Sequence, residues 1–144
     1  MTTGILVSAF LAAAAGPLSG QAGQPVTRTF GAPMERTLAV VESVLRSLGW
    51  SIDDQDKSVG WILTNSRGVD FKDWGVYGEG SRHKLRLTLK AAGEGQTAVS
   101  VERDLYKEER ILWMKERKPL QATDRTVELG VLDEVGRILP AAAP

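Results

Sequence analysis

From Lys84 to Ala91 the chain alternates without a break: Leu85, Leu87 and Leu89 are apolar, with Lys84, Arg86, Thr88 and Lys90 between them. A strand turns successive side chains to opposite faces, so this segment must bury one face and wet the other. That is the pattern of an antiparallel sheet covered on one side only. Gly93-Glu94-Gly95-Gln96 makes a hairpin, and Thr97 to Tyr106 returns with Val99 and Val101 on the buried side.

Two amphipathic helices can supply the cover. The first opens at Ala32-Pro33, where proline suits the first helical position. Met34, Leu38, Val41, Leu45 and Leu48 follow at spacings of 4, 3, 4 and 3, and Val44 widens the stripe. Glu35, Arg36, Glu42, Ser43 and Arg46 take the other side, and Gly49 falls where a helix-ending glycine belongs. Asp124 can cap a last helix whose apolar positions are Val127, Val131, Leu132, Val135, Ile138 and Leu139. Gly130 and Gly136 weaken that helix by about 1 kcal/mol each relative to alanine, so packing must hold it. Pro140 stops it.

Val26 to Phe30 is β-branched and alternating, and is predicted to be an edge strand. Trp50 to Asp54 and Val59 to Asn65 read as strands joined by a turn at Asp56-Lys57-Ser58, with Trp50 and Trp61 in the core. Ser66 to Arg82 carries Gly68, Gly75, Gly78 and Gly80 and reads as an irregular or bulged connection. Lys107 to Lys118 is open between two readings. Its residues favour helix by propensity, yet Ile111 and Trp113 alternate as in an extended arm; Pro119 ends it either way. The expected fold is α+β, an antiparallel sheet with two helices packed on one face, in the order β-α-β-β-β-β-α.

The N-terminus reads as an address. Ile5 to Ala15 is an uncharged apolar run, Pro17 breaks it, and Gly20-Gln21-Ala22 is a small-residue exit. That is a secretory signal with cleavage after Ala22, and the run is shorter than the roughly 17–25 residues of a membrane-spanning helix. Met1-Thr2-Thr3-Gly4 lacks the usual basic residue. Leu18-Ser19-Gly20-Gln21 is either a plain cleavage region or a lipoprotein signal with Gln in place of the acylated Cys; without cysteine, no lipid can be attached there. The expected organisation is a signal peptide at 1–22, one domain at 23–140 and a disordered tail at 141–144.

Removing 22 residues from 144 leaves 122, enough for one core without disulfides or metals. The 18 basic and 18 acidic side chains cancel. A neutral, exported domain has no electrostatic reason to hold nucleic acid.

No residue set marks catalysis, a metal or a cofactor. His83, the sole histidine, sits between Arg82 and Lys84 and reads as a surface residue. Asp53, Asp54 and Asp56 fail the calcium-loop frame, which would place Val59 at the required glycine and Asn65 at the closing acid. Gly75, Gly78 and Gly80 lack the spacing of a phosphate loop. An enzyme would need a cleft of acids such as Asp70, Asp73 or Glu79, which the spacing does not assemble. The aromatics say more. Phe71, Trp74 and Tyr77 fall within seven residues of the glycine-rich connection, and Trp113 lies in the charged arm. Large rings on irregular segments either close the open end of a sheet or form a recognition surface. Arg82, Lys84, Arg86 and Lys90 make one strand face cationic, as a solvated face or as a contact for anionic headgroups or an acidic partner.

Several motifs resemble those of BamC-like domains: Phe30-Gly31-Ala32-Pro33 leading into a helix, Leu48-Gly49-Trp50 at its end, Asp56-Lys57-Ser58-Val59-Gly60-Trp61-Ile62 in a hairpin, and Thr123-Asp124-Arg125 before the last helix. The resemblance covers about Val26 to Leu139. It implies a helix-grip fold and an interaction role in the bacterial envelope, as in lipoproteins that include an accessory part of the outer-membrane β-barrel assembly machine. The missing lipid-bearing Cys is a departure, and the family offers no catalytic residues to carry over.

The expectation is therefore a non-enzymatic exported domain, in the periplasm or at the outer-membrane periphery. It binds a protein partner through Phe71, Trp74, Tyr77 and Trp113, with peripheral membrane contact open. The alternative is a small-ligand or lipid carrier with a cavity between the long helix and the sheet.

Overall fold

A computed structural model describes residues 24–142. The signal segment at 1–22 lies outside the described residues, as do 143 and 144 of the expected tail. Strand β1 (Val26–Phe30) leads to helix α1 (Met34–Ser47), strands β2 (Ile52–Asp56) and β3 (Trp61–Thr64), and the two-residue strands β4 (Arg67–Gly68) and β5 (Lys72–Asp73). Two long strands follow, β6 (Tyr77–Gly93) and β7 (Gln96–Ile111), then β8 (Met114–Pro119) and helix α2 (Thr126–Ile138).

The five-stranded, helix-grip order β-α-β-β-β-β-α is overturned. The described residues form one large eight-stranded sheet with the path β1-β7-β6-β3-β2, on which β4 and β5 pair with β6 and β8 pairs with β7. All its pairings are antiparallel. The difference lies in the length of β6 and β7, which pair from Gly93↔Gln96 to Tyr77↔Ile111. Only the half next to the Gly93–Gln96 hairpin lies under the helices. The other half runs on as an arm, bordered by β8 on one side and by β4 and β5 on the other. The connection expected at Ser66 to Arg82 is thus two short strands and the start of β6, and Lys107 to Lys118 is a hairpin.

Burial explains the covered half. Leu85, Leu87 and Leu89 of β6, Val99 and Val101 of β7, Ile62 of β3 and Phe30 of β1 form one face. Leu38, Val41, Val44 and Leu45 of α1 and Val131, Leu132 and Val135 of α2 pack on it. These side chains make up the layer between the helices and the sheet. Gly49, at φ 87°, ends α1: its N–H bonds the Arg46 carbonyl, and that of Trp50 reaches Leu45, the paired closure of a left-handed cap. Arg28 Nη1 donates to Asp133 Oδ1 at 2.9 Å, tying β1 to α2. The tail expected from 141 begins as ordered chain, since Ala141 bridges to Phe30 and the Ala142 N–H bonds the Thr29 carbonyl.

Trp61 departs from the core reading. It shares the outer face with Leu63, while Ile62 takes the buried position. With Arg86 and Thr88 these two line an open groove of about 390 Å³.

Candidate functional site

The arm is built from charge rather than apolar burial. Arg117 Nε donates to Glu108 Oε1 at 3.0 Å, Lys107 Nζ lies 3.5 Å from Glu79, and Arg110 Nη2 donates to Asp73 Oδ1 at 2.6 Å. Such pairs contribute little each; the continuous ladder of β6, β7 and β8 carries the arm. Three of the four cations expected on the face of β6 are matched by acids, while Lys90 lies opposite Ala98. Lys84 lies 4.0 Å from Asp104, Arg82 lies 3.9 Å from the buried Glu108, and Arg86 faces Glu102 across the ladder.

The candidate site is the outer end of this arm. Ile111 pairs with both Tyr77 and Met114, leaving Leu112-Trp113 as a two-residue turn. The Leu112 N–H bonds the Val76 carbonyl at 2.7 Å, which joins this turn to the Trp74-Gly75-Val76 turn beside it. Trp74 stacks on Tyr77 at 5.5 Å between ring centroids. Trp113 is 80% exposed and Trp74 58%, and Val76, Ile111, Leu112 and Met114 are each about half exposed or more. Fully burying a large apolar side chain contributes about 1.5–3 kcal/mol, so covering all six would release on the order of 5–10 kcal/mol. Association itself costs about 4–15 kcal/mol, so that gain and this cost are of the same order. Contiguous apolar patches of this kind mark interaction sites.

Trp74, Tyr77 and Trp113 thus meet at one end, and Phe71 does not join them. Phe71 is half-buried on the opposite face, across Gly78 and Gly80, with the Arg82 guanidinium 5.0 Å from its ring. Gly80, at φ 145°, explains the crossing: a Cβ there would sit 2.6 Å from the Phe71 Cα. Sequence reasoning missed Val76, Ile111, Leu112 and Met114. The alternation of Ile111 and Trp113 was their only signal, and it pointed to an extended arm without locating the turn.

The acids weighed for catalysis are engaged elsewhere. Asp73 accepts from Arg110 and from the Gly75 N–H, which hold its carboxyl below the usual range. Asp70 accepts from the Ser81 N–H, with the same effect. Glu79 accepts from the Tyr77 hydroxyl at 2.9 Å and raises that phenol. Among the described residues no three acids or histidines converge to hold a metal ion.

His83 is buried, against the surface reading. It packs on Trp50, with 4.8 Å between ring centroids, and its Nδ1 accepts from Arg103 Nε at 2.9 Å. Burial first, then the Arg103 and Arg67 guanidiniums, push the imidazole down to about 4. A neutral ring accepting from arginine in a filled core is structural.

No family model matches the chain, and no curated protein matches it in sequence.

Proposed function

We propose that this chain is a non-enzymatic, exported binding domain of the bacterial envelope that holds a protein partner at the outer end of its arm. The observation that carries the reading is the exposed Trp74–Tyr77 stack, on the same arm face as Ile111 and Met114. Rigid aromatic anchors beside apolar neighbours are what interface hot spots are made of. The helix-backed half of the sheet is the mount, and the arm carries the contact clear of it. Export rests on the apolar run at Ile5 to Ala15 with its small-residue exit. The motifs that resemble BamC-like domains support an accessory role at the outer membrane; they do so as motifs only, since the large sheet departs from the helix grip.

The test is capture. Crosslinking from envelope fractions with the intact protein should recover a partner, and Trp74→Ala should weaken recovery at least tenfold. Because Trp74 is more than half exposed, the melting temperature should stay within a few degrees. A large loss of stability would mark Trp74 as core and remove the reading.

A further inference from the structure

We propose that the outermost turns of the arm, Val76 and Leu112-Trp113, enter the surface of a zwitterionic lipid bilayer. This goes beyond the protein contact, which uses the Trp74–Tyr77 face; the turns are the rim of the same end.

Four observations converge there. The two turns project together, so they can enter a soft surface without a matching socket. The backbone of the first turn is fully paired and holds the second: the N–H groups of Trp74, Val76 and Leu112 bond the carbonyls of Tyr77, Trp74 and Val76. Gly75 donates to Asp73 Oδ1, and its carbonyl accepts from Arg110. A medium poor in water penalises unpaired backbone groups, and the Trp74-Gly75-Val76 turn offers it few. The third is the turn's chemistry. Leu112 has φ 55°, a conformation that tight hairpins normally give to glycine or asparagine, yet Leu-Trp stands there. Strain kept at an exposed apolar turn points to a use for those side chains.

The fourth is the order of charge along the arm. Behind the turns and the apolar rung of Tyr77, Ile111 and Met114, the first charged rung holds Arg110 and Lys115 against Asp73, net +1. The next, about 3.4 Å further back, holds Glu79, Glu109 and Glu116 against Lys72, net −2. From the hydrocarbon outward, a zwitterionic headgroup presents phosphate and then ammonium. The apolar turns, the cationic rung and the acidic rung match that order layer by layer. Tryptophan suits the same boundary, where its ring is apolar and its N–H wet.

The chain has no cysteine, so one can be placed at will. The intact protein carrying Val76→Cys, labelled with a polarity-sensitive dye, is mixed with phosphatidylcholine–phosphatidylethanolamine vesicles. Glu94→Cys, in the turn at the other end of β6, is the control. The expected result is a blue shift at 76 and none at 94, with vesicle affinity falling at least tenfold in Trp113→Asp and the melting temperature unchanged. Adding phosphatidylglycerol should raise affinity less than twofold. The proposal is overturned by vesicle binding without a shift at 76, by no binding, or by Trp113→Asp binding as well as the parent. A tenfold gain with phosphatidylglycerol overturns the zwitterionic assignment. A shift at 76 given only by captured protein would leave the partner reading intact and remove this one, whereas lost capture in Trp74→Ala tests that reading alone.

Discussion

Leu112 offers a test whose sign can be worked out in advance. Its φ of 55° places a branched side chain in the left-handed region, which costs an L-residue roughly 1–2 kcal/mol. Leu112 is 51% exposed, so removing its side chain forfeits about half of the 1.5–3 kcal/mol of full burial, or about 1 kcal/mol. Leu112→Ala loses that burial and keeps its Cβ in the unfavourable conformation. Leu112→Gly loses the same burial and sheds the strain, against a larger entropy loss on folding of about 0.5–1 kcal/mol. Glycine should therefore exceed alanine by about 1 kcal/mol, with asparagine between them. In a domain of this size that is about 3–6 °C in melting temperature. Thermal unfolding at pH 7, followed by circular dichroism, reads the order directly. At an ordinary strand position alanine beats glycine, so an alanine variant as stable as the glycine variant would refute the argument.

The other predictions concern the covered half and the arm's crossing. His83 has its folded value near 4 against an ordinary 6.5, so stability should be full above about pH 6.5 and fall as pH drops toward 4, by about 3 kcal/mol. Proton uptake at Nδ1 also breaks the bond from Arg103; His83→Asn should flatten denaturant midpoints between pH 7 and 4.5, and an unchanged slope would rule His83 out. Gly80→Ala should cost more than about 2 kcal/mol because its Cβ meets backbone, whereas Gly75→Ala, with open space around it, should cost about 1 kcal/mol; equal losses would refute the crossing argument. Glu128 is fully buried with neither carboxylate oxygen hydrogen-bonded, and its nearest ion-pair partner, Arg125, is 3.9 Å away. Glu128→Leu should raise the melting temperature by a few degrees, and a fall would show that the carboxylate is held.

What the sequence made legible was burial. The Leu85–Leu89 alternation and the α1 stripe report a covered face, and their periods are properties of that face. The arm has no such face. Lys107-Glu108-Glu109-Arg110 and Lys115-Glu116-Arg117-Lys118 carry charge on both sides of the strand, so no period of two appears and helix propensity competes. The Leu112-Trp113 turn hides for a related reason, lacking the asparagine or glycine that announces a hairpin. His83 was read from its neighbours, yet Arg82 and Lys84 point to the opposite face of β6, and the residue that matters is Leu85, two positions on. Trp61-Ile62-Leu63 is apolar on both faces, and alternation alone does not say which of the three lies inward.

The division of the sheet also explains why its outer end can stay apolar in water. The core sits under the helices, and the arm adds little to it beyond the ladder. The end's rings and aliphatic side chains are therefore removable without opening a cavity, so loss of contact and loss of stability can be told apart. The same ladder limits the cost of contact. Ordering a free side chain costs about 0.5–1.5 kcal/mol at an interface, and the Trp74–Tyr77 stack with its two bonded turns is ordered already. More of the apolar area at the end then remains as net attraction. A flexible loop with the same residues would have to order itself as it bound, so a stiff extension of the sheet suits the proposed contact.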